Sequence, residues 1–295
     1  MFKYIAAALP AFFLSFSDVE ARTSNFKIDA VSASRNATIH IPDEIYDAGV
    51  AAPVVFAFHG PGSSLINFKR KSHIIEEADR RGYIVVIPNG FTRPDYKGGF
   101  WDVAPFLQEN KDYALETDED FVSMLLDFLD QDGFVDHGRV FATGFSMGGM
   151  MAYKLGCTMP EIFSAVAVVA AAQTTEDCNP SVPVSVFHLH GMADERVPYF
   201  GGAVEGGITW PDTMSTIRKW EAQNQCGRAE TVPMADEGMC RRSSCVDGNV
   251  VQHCVSYELG HAWAGRKRSK SELVAYGEEK PTVFKATEMI FDFLG

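Results

Sequence analysis

Long hydrophobic runs are scarce in this 295-residue sequence. Beyond the first 21 residues, no segment approaches the ~20 apolar residues that a membrane-spanning helix requires. Positive charge is also in short supply, because 26 Lys and Arg face 39 Asp and Glu and give a net charge of −13. Such an acidic surface repels nucleic-acid phosphate and anionic lipid headgroups. We therefore expect neither nucleic acid nor a membrane surface as a partner.

The sequence also lacks a Pro- or Ser-rich linker and an internal repeat. Its 25 Gly and 14 Pro are scattered without a period, which excludes collagen-like and coiled-coil proteins. Its 12% aromatic and 22% charged residues exclude a disordered chain. We predict a single domain over residues 22–295.

The N-terminus has the pattern of a secretory signal. Lys3 provides a positive start, residues 4–16 are mostly apolar, and Val19 and Ala21 provide small residues at cleavage positions. The alternative, a transmembrane anchor, is less favoured because the apolar stretch is short. We predict a signal peptide over residues 1–21 and a secreted protein, extracellular or periplasmic.

Cysteines occur only in the second half of the chain. The six are Cys157, Cys178, Cys226, Cys240, Cys245 and Cys254. An even number in an exported protein predicts disulfides, although the count leaves the pairing open. Closeness in sequence favours the pairs Cys157–Cys178 and Cys240–Cys245, and leaves Cys226–Cys254. The alternative, a zinc site that also uses His253, lacks the usual C-x₂-C spacing, so we predict no metal.

Strand-like and helix-like segments alternate, which predicts an α/β fold with a mainly parallel central sheet flanked by helices. Strands are predicted at 36–41, 54–58, 83–88, 139–143, 163–171, 184–189 and 250–258. Helices are predicted at 66–81, 119–130, 148–155, 213–223 and 285–293. Residues 93–118 have weak periodicity and are expected to form an insertion over the carboxyl edge of the sheet.

Residues 144–148 form a G-x-S-x-G motif centred on Ser146. The motif follows a predicted strand and precedes a predicted helix, which is the context of a nucleophilic serine on a strained turn. Gly144 and Gly148 allow the strand and the helix to approach closely. The helix N-terminus then stabilises negative charge that develops near the hydroxyl.

A serine hydroxyl needs a base and an acid partner. For a serine on a G-x-S-x-G turn, the expected chain order is Ser, acid, His. The histidines after Ser146 are His188, His190, His253 and His261. His261 is favoured because it follows a strand and lies in a loop, whereas His188 and His253 lie within predicted strands. Asp194 follows the strand at 184–189 and is the favoured acid, with the adjacent Glu195 as the alternative.

An oxyanion hole requires backbone N–H donors. The N–H of Met147, directly after the nucleophile, is one candidate. The second is expected from the loop after an early strand, where Pro61 has no N–H and the candidates are Gly60, Gly62 or a later residue. His59 is interpreted mainly as a brace for this loop.

Three side chains are candidates for the substrate pocket: Trp263, Trp101 and His59. Trp263 is the strongest because it lies two residues from His261. For Trp101 and for Trp210, core packing is an equally good interpretation.

Several motifs together resemble those of secreted α/β-hydrolases that include polyhydroxybutyrate depolymerases and feruloyl esterases of carbohydrate esterase family 1. The matching segments are residues 59–60, 144–149, 190–194, 197–199, the set Trp220, Asn224 and Cys226, and residues 260–265. The resemblance implies an α/β-hydrolase fold and a triad of Ser146, Asp194 and His261. It also implies the disulfides Cys157–Cys178 and Cys226–Cys254. Pro61 and Ala264 depart from the family pattern.

These observations predict a secreted serine carboxylic-ester hydrolase without a cofactor. The chain carries no polymer-adsorbing module, so we expect soluble substrates such as feruloyl or hydroxybutyrate-oligomer esters. Two alternatives remain: a serine peptidase of the same fold, and a non-catalytic binding protein on a hydrolase scaffold. The sequence leaves the oligomeric state open.

Overall fold

The computed structural model describes residues 23–29, 34–93, 96–103, 117–234, 238–266 and 282–295. The predicted signal peptide, residues 1–21, lies outside these ranges, as does most of the predicted insertion at 93–118.

Fourteen strands and seven α-helices are found in these ranges. The strands are β1 (Thr23–Asp29), β2 (Ser34–His40), β3 (Ala52–Phe58), β4 (Ile84–Pro88), β5 (Phe91–Arg93), β6 (Tyr96–Phe100), β7 (Val135–Phe145), β8 (Ala165–Val169), β9 (Ser185–Gly191), β10 (Gly202–Ala203), β11 (Thr209–Trp210), β12 (Glu230–Met234), β13 (Gly238–Ser244) and β14 (Val250–Ser256). The helices are α1 (Asp43–Ala48), α2 (Leu65–Ser72), α3 (Ile74–Arg81), α4 (Asp118–Asp130), α5 (Met147–Thr158), α6 (Thr213–Gln223) and α7 (Ala286–Leu294).

The main sheet has ten strands in the order β1-β2-β4-β3-β7-β8-β9-β14-β13-β12. Its six central strands, from β4 to β14, run parallel to one another. The outer strands β2, β1, β13 and β12 join antiparallel at the two sides. Strands β3, β4 and β8 are buried along their whole length, as expected for parallel strands covered on both faces.

Alternating side chains of β3 enter two separate hydrophobic layers. Val54 and Phe56 contact one layer, which contains apolar residues of α4, α5 and α6. Val55 and Ala57 contact the other, which contains residues of α2, α3 and α7. Because neighbouring strand residues point to opposite faces, the helices cover both sides of the sheet. The predicted single-domain α/β fold with a mainly parallel central sheet is confirmed.

Some predicted boundaries are wrong. The helix predicted at 66–81 is interrupted at His73, whose φ of 55° ends α2 and separates it from α3. The strand predicted at 139–143 extends over Val135–Phe145. Its start was missed because Asp136, His137 and Gly138 do not resemble a buried strand.

The structure pairs Cys157 with Cys178 as predicted, but it joins Cys226 to Cys245 and Cys240 to Cys254. The predicted pairs Cys240–Cys245 and Cys226–Cys254 are therefore wrong. Cys240 lies within the extended strand β13, and residues five apart along a strand are separated by about 17 Å. Cys254, on the antiparallel neighbour β14, is instead directly opposite Cys240. The cysteines of the alternative zinc site are thus all engaged in disulfides.

Candidate active site

Ser146 occupies the turn between β7 and α5. Its backbone has φ 56° and ψ −123°, a left-handed conformation that a residue with a Cβ rarely adopts. The flanking glycines make this turn sterically possible: a Cβ on Gly144 would lie 2.2 Å from the carbonyl oxygen of Gly148. A Cβ on Gly148 would lie 2.1 Å from the carbonyl oxygen of Phe58, at the end of β3. The motif glycines therefore allow α5 to start directly against two central strands.

The structure brings Ser146, His261 and Asp194 together. The Nε2 atom of His261 lies 2.9 Å from the Ser146 Oγ atom, and its Nδ1 atom lies 2.7 Å from Oδ2 of Asp194. A carboxylate only accepts, so Nδ1 carries the proton and Nε2 is left to accept from the serine hydroxyl. The three side chains form a continuous hydrogen-bond chain.

Topology explains how distant residues meet. Ser146 follows β7, Asp194 follows β9, and His261 follows β14. These strands are parallel and lie within the run of neighbours β7-β8-β9-β14, so their carboxyl ends open onto one edge of the sheet.

The Asp194 carboxylate is fully buried and surrounded by donors. Its Oδ1 atom accepts the backbone N–H groups of Arg196 and Val197 at 2.9 and 2.8 Å. Burial acts to raise the pKa of Asp194, but hydrogen bonds from His190 and His261 outweigh it and hold this pKa well below its usual value. Asp194 is therefore an anion that can orient His261. The alternative acid, Glu195, is exposed.

The oxyanion candidates differ in their surroundings. Met147 is the first residue of α5, where backbone N–H groups have no acceptor within the helix. Gly60 packs against the nucleophile, since a Cβ built on it would lie 3.5 Å from Cβ of Ser146. The N–H of Gly62 instead donates to the carbonyl of Gly99 at 3.1 Å, which removes Gly62 as a candidate donor. This interaction was missed because it involves a hairpin about 40 residues away in sequence.

His59 and Trp101 do not line the cavity beside the triad, contrary to their prediction as pocket residues. Both are buried, and Nε1 of Trp101 donates to the His59 carbonyl at 2.8 Å. The His59 ring links the carbonyl of Gly60, at 2.8 Å, to the N–H of Gly90, at 3.0 Å. Burial lowers the pKa of His59 to about 4, so a neutral ring braces the loop.

A cavity of about 570 Å³ opens beside His261. Its apolar wall contains Phe68, Phe145 and Trp263, and the charged side chains Lys71, Glu195, Arg196 and Arg266 also line it. Trp263 packs edge-on against Phe68 and donates from Nε1 to Thr287 at 3.0 Å. Trp210 is absent from this lining; it is buried and donates to the Arg196 carbonyl.

A buried polar cluster, which sequence reasoning missed, lies next to Asp194. Nδ1 of His188 is 2.6 Å from the hydroxyl of Tyr153, and its Nε2 is 2.9 Å from Nδ1 of His190. The ring of His253 packs against His188. A signal was present in the sequence, because His188 and His190 are two residues apart on β9 and share a face.

Over the described ranges, no three His, Cys, Asp or Glu side chains are grouped so that they could hold a metal ion. Each helix in the same ranges is too short or too polar to cross a bilayer.

Comparisons with known proteins show the family and the fold of this chain. The family model described as "Putative esterase" matches residues 29–234. The chain is 27% identical over 224 residues to feruloyl esterase B of Piromyces equi. The aligned segment covers 72% of this chain and 40% of that protein. It is 27% identical over 186 residues to feruloyl esterase C of Emericella nidulans, and this alignment covers 61% of this chain and 60% of that protein. The chain thus spans less than two thirds of the length of these relatives.

Solved structures show the same fold at low sequence identity. An acetyl xylan esterase from Aspergillus awamori superposes with a TM-score of 0.58 at 16% identity, covering 86% of this chain and 99% of that one. An S-formylglutathione hydrolase from Agrobacterium tumefaciens gives 0.56 at 14% identity, covering 84% and 91%. With the family match extending over most of the chain, this protein belongs to that esterase family and has the α/β-hydrolase fold.

Proposed function

We propose that this chain is a secreted carboxylic-ester hydrolase with Ser146 as nucleophile, His261 as general base and Asp194 as the residue that orients His261. The observation that carries the proposal is the hydrogen-bond chain from the Ser146 hydroxyl through His261 to Asp194, at 2.9 and 2.7 Å, on a strained turn. Membership of an esterase family favours an ester over an amide as the bond cleaved.

In the first half-reaction, Ser146 Oγ attacks the ester carbonyl carbon while its proton passes to Nε2 of His261. The carbonyl oxygen becomes an oxyanion, for which the proposed donors are the N–H of Met147 and a backbone N–H at or near Gly60. The imidazolium, stabilised by Asp194, then protonates the alkoxide as the C–O bond breaks. The alcohol leaves, and the acyl group remains on Ser146.

In the second half-reaction, water attacks the acyl-enzyme. His261 takes one proton from the water and returns it to Oγ of Ser146 when the acyl bond breaks, so the carboxylic acid leaves and the serine is restored. The cycle consumes one water molecule per ester and needs no cofactor.

For the substrate, we propose soluble esters of a bulky acyl group, such as feruloyl or hydroxybutyrate-oligomer esters. The cavity of about 570 Å³ beside His261 has a size suited to a small ligand, and Phe68, Phe145 and Trp263 supply an apolar wall for an aromatic or hydrocarbon group. The relatives named feruloyl esterases support the same class.

For the location, we propose export directed by residues 1–21. Three disulfides, one joining β13 to β14, are consistent with folding in an oxidising compartment. N-terminal sequencing of the protein recovered from medium, periplasm and cytosol tests this point. A mature protein that starts after residue 21 is expected outside the cytosol, and an uncleaved cytosolic protein would contradict export.

The catalytic proposal is tested with Ser146→Ala on a panel of p-nitrophenyl, feruloyl and hydroxybutyrate-oligomer esters, together with one matched amide. We expect kcat on the best ester to fall about 10⁶-fold, as when a triad nucleophile is removed. The control is Ser181→Ala, which removes an exposed hydroxyl bonded to Glu161. Covalent labelling by an organophosphonate is expected in the wild type and in Ser181→Ala. Labelling or substantial turnover in Ser146→Ala would remove Ser146 from this role.

A further inference from the structure

Beneath the triad, a row of buried polar side chains connects α5 to the Asp194 loop. The row runs from the Tyr153 hydroxyl to His188, then to His190, and its three members are buried to 1% exposure or less. The far end, Nε2 of His190, lies 2.8 Å from the Val197 carbonyl and 3.4 Å from Oδ2 of Asp194. The row thus ends at the carboxylate that accepts from His261.

The direction of every hydrogen bond in this row follows from its last acceptor. A carbonyl oxygen only accepts, so Nε2 of His190 carries a proton and, in a neutral ring, Nδ1 of His190 accepts. His188 must then donate from Nε2, which leaves its Nδ1 to accept from Tyr153. With neutral rings, a single arrangement satisfies all the polar atoms.

The neutral state of His188 is supported by its surroundings. Burial, together with the positions of His190 and His253, lowers the pKa of His188 well below its usual value, and burial raises the pKa of Tyr153. The titratable and charged groups packed around the row come from several elements. They are Asp194 in the loop after β9, Tyr199 stacked on His253, His253 itself on β14, and more distantly Arg241 on β13.

His190 acts on Asp194 by two routes. Directly, its Nε2–H approaches Oδ2, the same oxygen that accepts from His261. Indirectly, it binds the carbonyl of Val197, whose own N–H donates to Oδ1 of Asp194 at 2.8 Å. The carboxylate is therefore fixed on both oxygens, and its rotation away from His261 would break contacts on both sides.

We infer that Tyr153, His188 and His190 form a one-directional hydrogen-bond chain that positions Asp194 for its role beside His261. These three are positioning residues, since none contacts the serine. The inference rests on the proposed function, because positioning matters only if Asp194 orients the base. Polarisation along the row strengthens its last donor, the one nearest to Asp194.

The first test measures kcat and KM in variants of the row. His190→Leu removes the last donor, and we expect kcat to fall about 10- to 100-fold with little change in KM, the size of effect that a displaced catalytic group produces. His190→Gln supplies an amide donor and acceptor and is expected to restore most of the loss. Tyr153→Phe keeps the ring that stacks on Trp220, and we expect kcat to fall about 2- to 10-fold for one lost hydrogen bond.

The matched control is His253→Phe. His253 is also buried, stacks on Tyr199 and packs at a tilt against His188, but its Nε2 atom has no hydrogen-bond partner among the described residues. We expect this variant to keep the wild-type kcat. If it loses as much kcat as His190→Leu, the cluster serves packing alone and the inference is wrong.

The second test does not depend on activity or on variants. Nitrogen-15 NMR of histidine-labelled protein at neutral pH reports which ring nitrogen carries the proton. We expect the Nε2–H tautomer for His188 and His190 and the Nδ1–H tautomer for His261. An Nδ1–H tautomer at His188 or His190 would overturn the inferred hydrogen-bond chain, even if His190→Leu failed to fold.

Two outcomes separate this inference from the proposed function. If Ser146→Ala retains turnover, the proposed function fails, and the inference that the row positions Asp194 for catalysis fails with it. If activity depends on Ser146 while His190→Leu folds and keeps the wild-type kcat, only the inference about the row fails.

Discussion

His261 and three buried histidines, His188, His190 and His253, belong to neighbouring parts of one sheet but have different surroundings. His261 lies in a loop, lines an open cavity and turns its Nε2 atom toward Ser146. His188, His190 and His253 lie on strands and are buried. The residue type is the same, so the difference comes from position: a loop places an imidazole where substrate can reach it, while a strand places it where only neighbours can.

Among the changes that test this comparison, we expect the largest effect from Asp194, the acid partner of His261. Asp194→Asn keeps an oxygen for the N–H groups of Arg196 and Val197 but presents His261 with an amide, which favours the wrong tautomer. We expect kcat to fall about 10⁴-fold, as in triads of this kind. Steady-state kinetics on the best ester of the panel measure it.

The control for Asp194→Asn is the same change at Asp212. This residue caps α6 by accepting the N–H of Ser215 at 2.7 Å, and an asparagine retains that bond. We expect Asp212→Asn to keep the wild-type kcat. A small effect at Asp194 would show that His261 does not depend on its carboxylate.

The turn that carries Ser146 gives the next largest effect, in stability. A Cβ on Gly148 would lie 2.1 Å from the Phe58 carbonyl oxygen, so either α5 or β3 must move. We expect Gly148→Ala to lower the free energy of unfolding by about 1–3 kcal/mol or more, as overpacked sites do, and to reduce kcat. Denaturant unfolding measures the first effect.

Gly138→Ala is the matched change on β7, where the nearest atom would be 3.4 Å from the new Cβ. We expect it to retain wild-type stability and activity. Equal losses at Gly138 and Gly148 would show that the close approach of α5 and β3 is not what the turn requires.

The buried histidines predict a pH dependence of stability. Burial lowers the pKa of His253 and of His59 to about 4, whereas an unfolded histidine titrates near pH 6.5. Between these values the unfolded chain binds more protons than the folded chain, so stability is full above about pH 6.5 and falls as the pH drops toward about 4. Each such histidine contributes a slope of about 1.4 kcal/mol per pH unit.

Unfolding free energies measured between these pH values test this contribution. His253→Phe is expected to reduce the slope of unfolding free energy against pH by about the contribution of one bound proton. The control is His137→Phe, because His137 is exposed. A wild-type slope in His253→Phe would show that this ring gains its proton as readily in the folded chain as in the unfolded one.

The comparison also shows where prediction from sequence succeeds. The G-x-S-x-G turn, the buried strands around it and the α/β order were predictable, because turn sterics and hydrophobic runs are local properties. The sequence also proposed Ser146, Asp194 and His261 as a set, from chain order and loop placement. It overestimated Trp101 and His59 as pocket residues, since an aromatic ring that lines a pocket and one that fills a core look alike in sequence.

The disulfides show the corresponding failure. Cys240 and Cys245 are neighbours in sequence, but an extended strand carries them apart and an antiparallel partner brings Cys254 opposite Cys240. Gly62 was similarly excluded as an oxyanion donor by a hairpin distant in sequence, because its N–H donates to the carbonyl of Gly99 in that hairpin.

The sequence by itself determined the alternation of strands and helices, the strained serine turn and an even set of cysteines in the second half of the chain. Only the tertiary structure decided which cysteines pair, which aromatic rings are core, and that His188 and His190 join Tyr153 to the Asp194 loop. The physical reason is range: periodicity and turn chemistry act over a few residues, whereas pairing, burial and hydrogen-bond direction depend on which distant segments pack together.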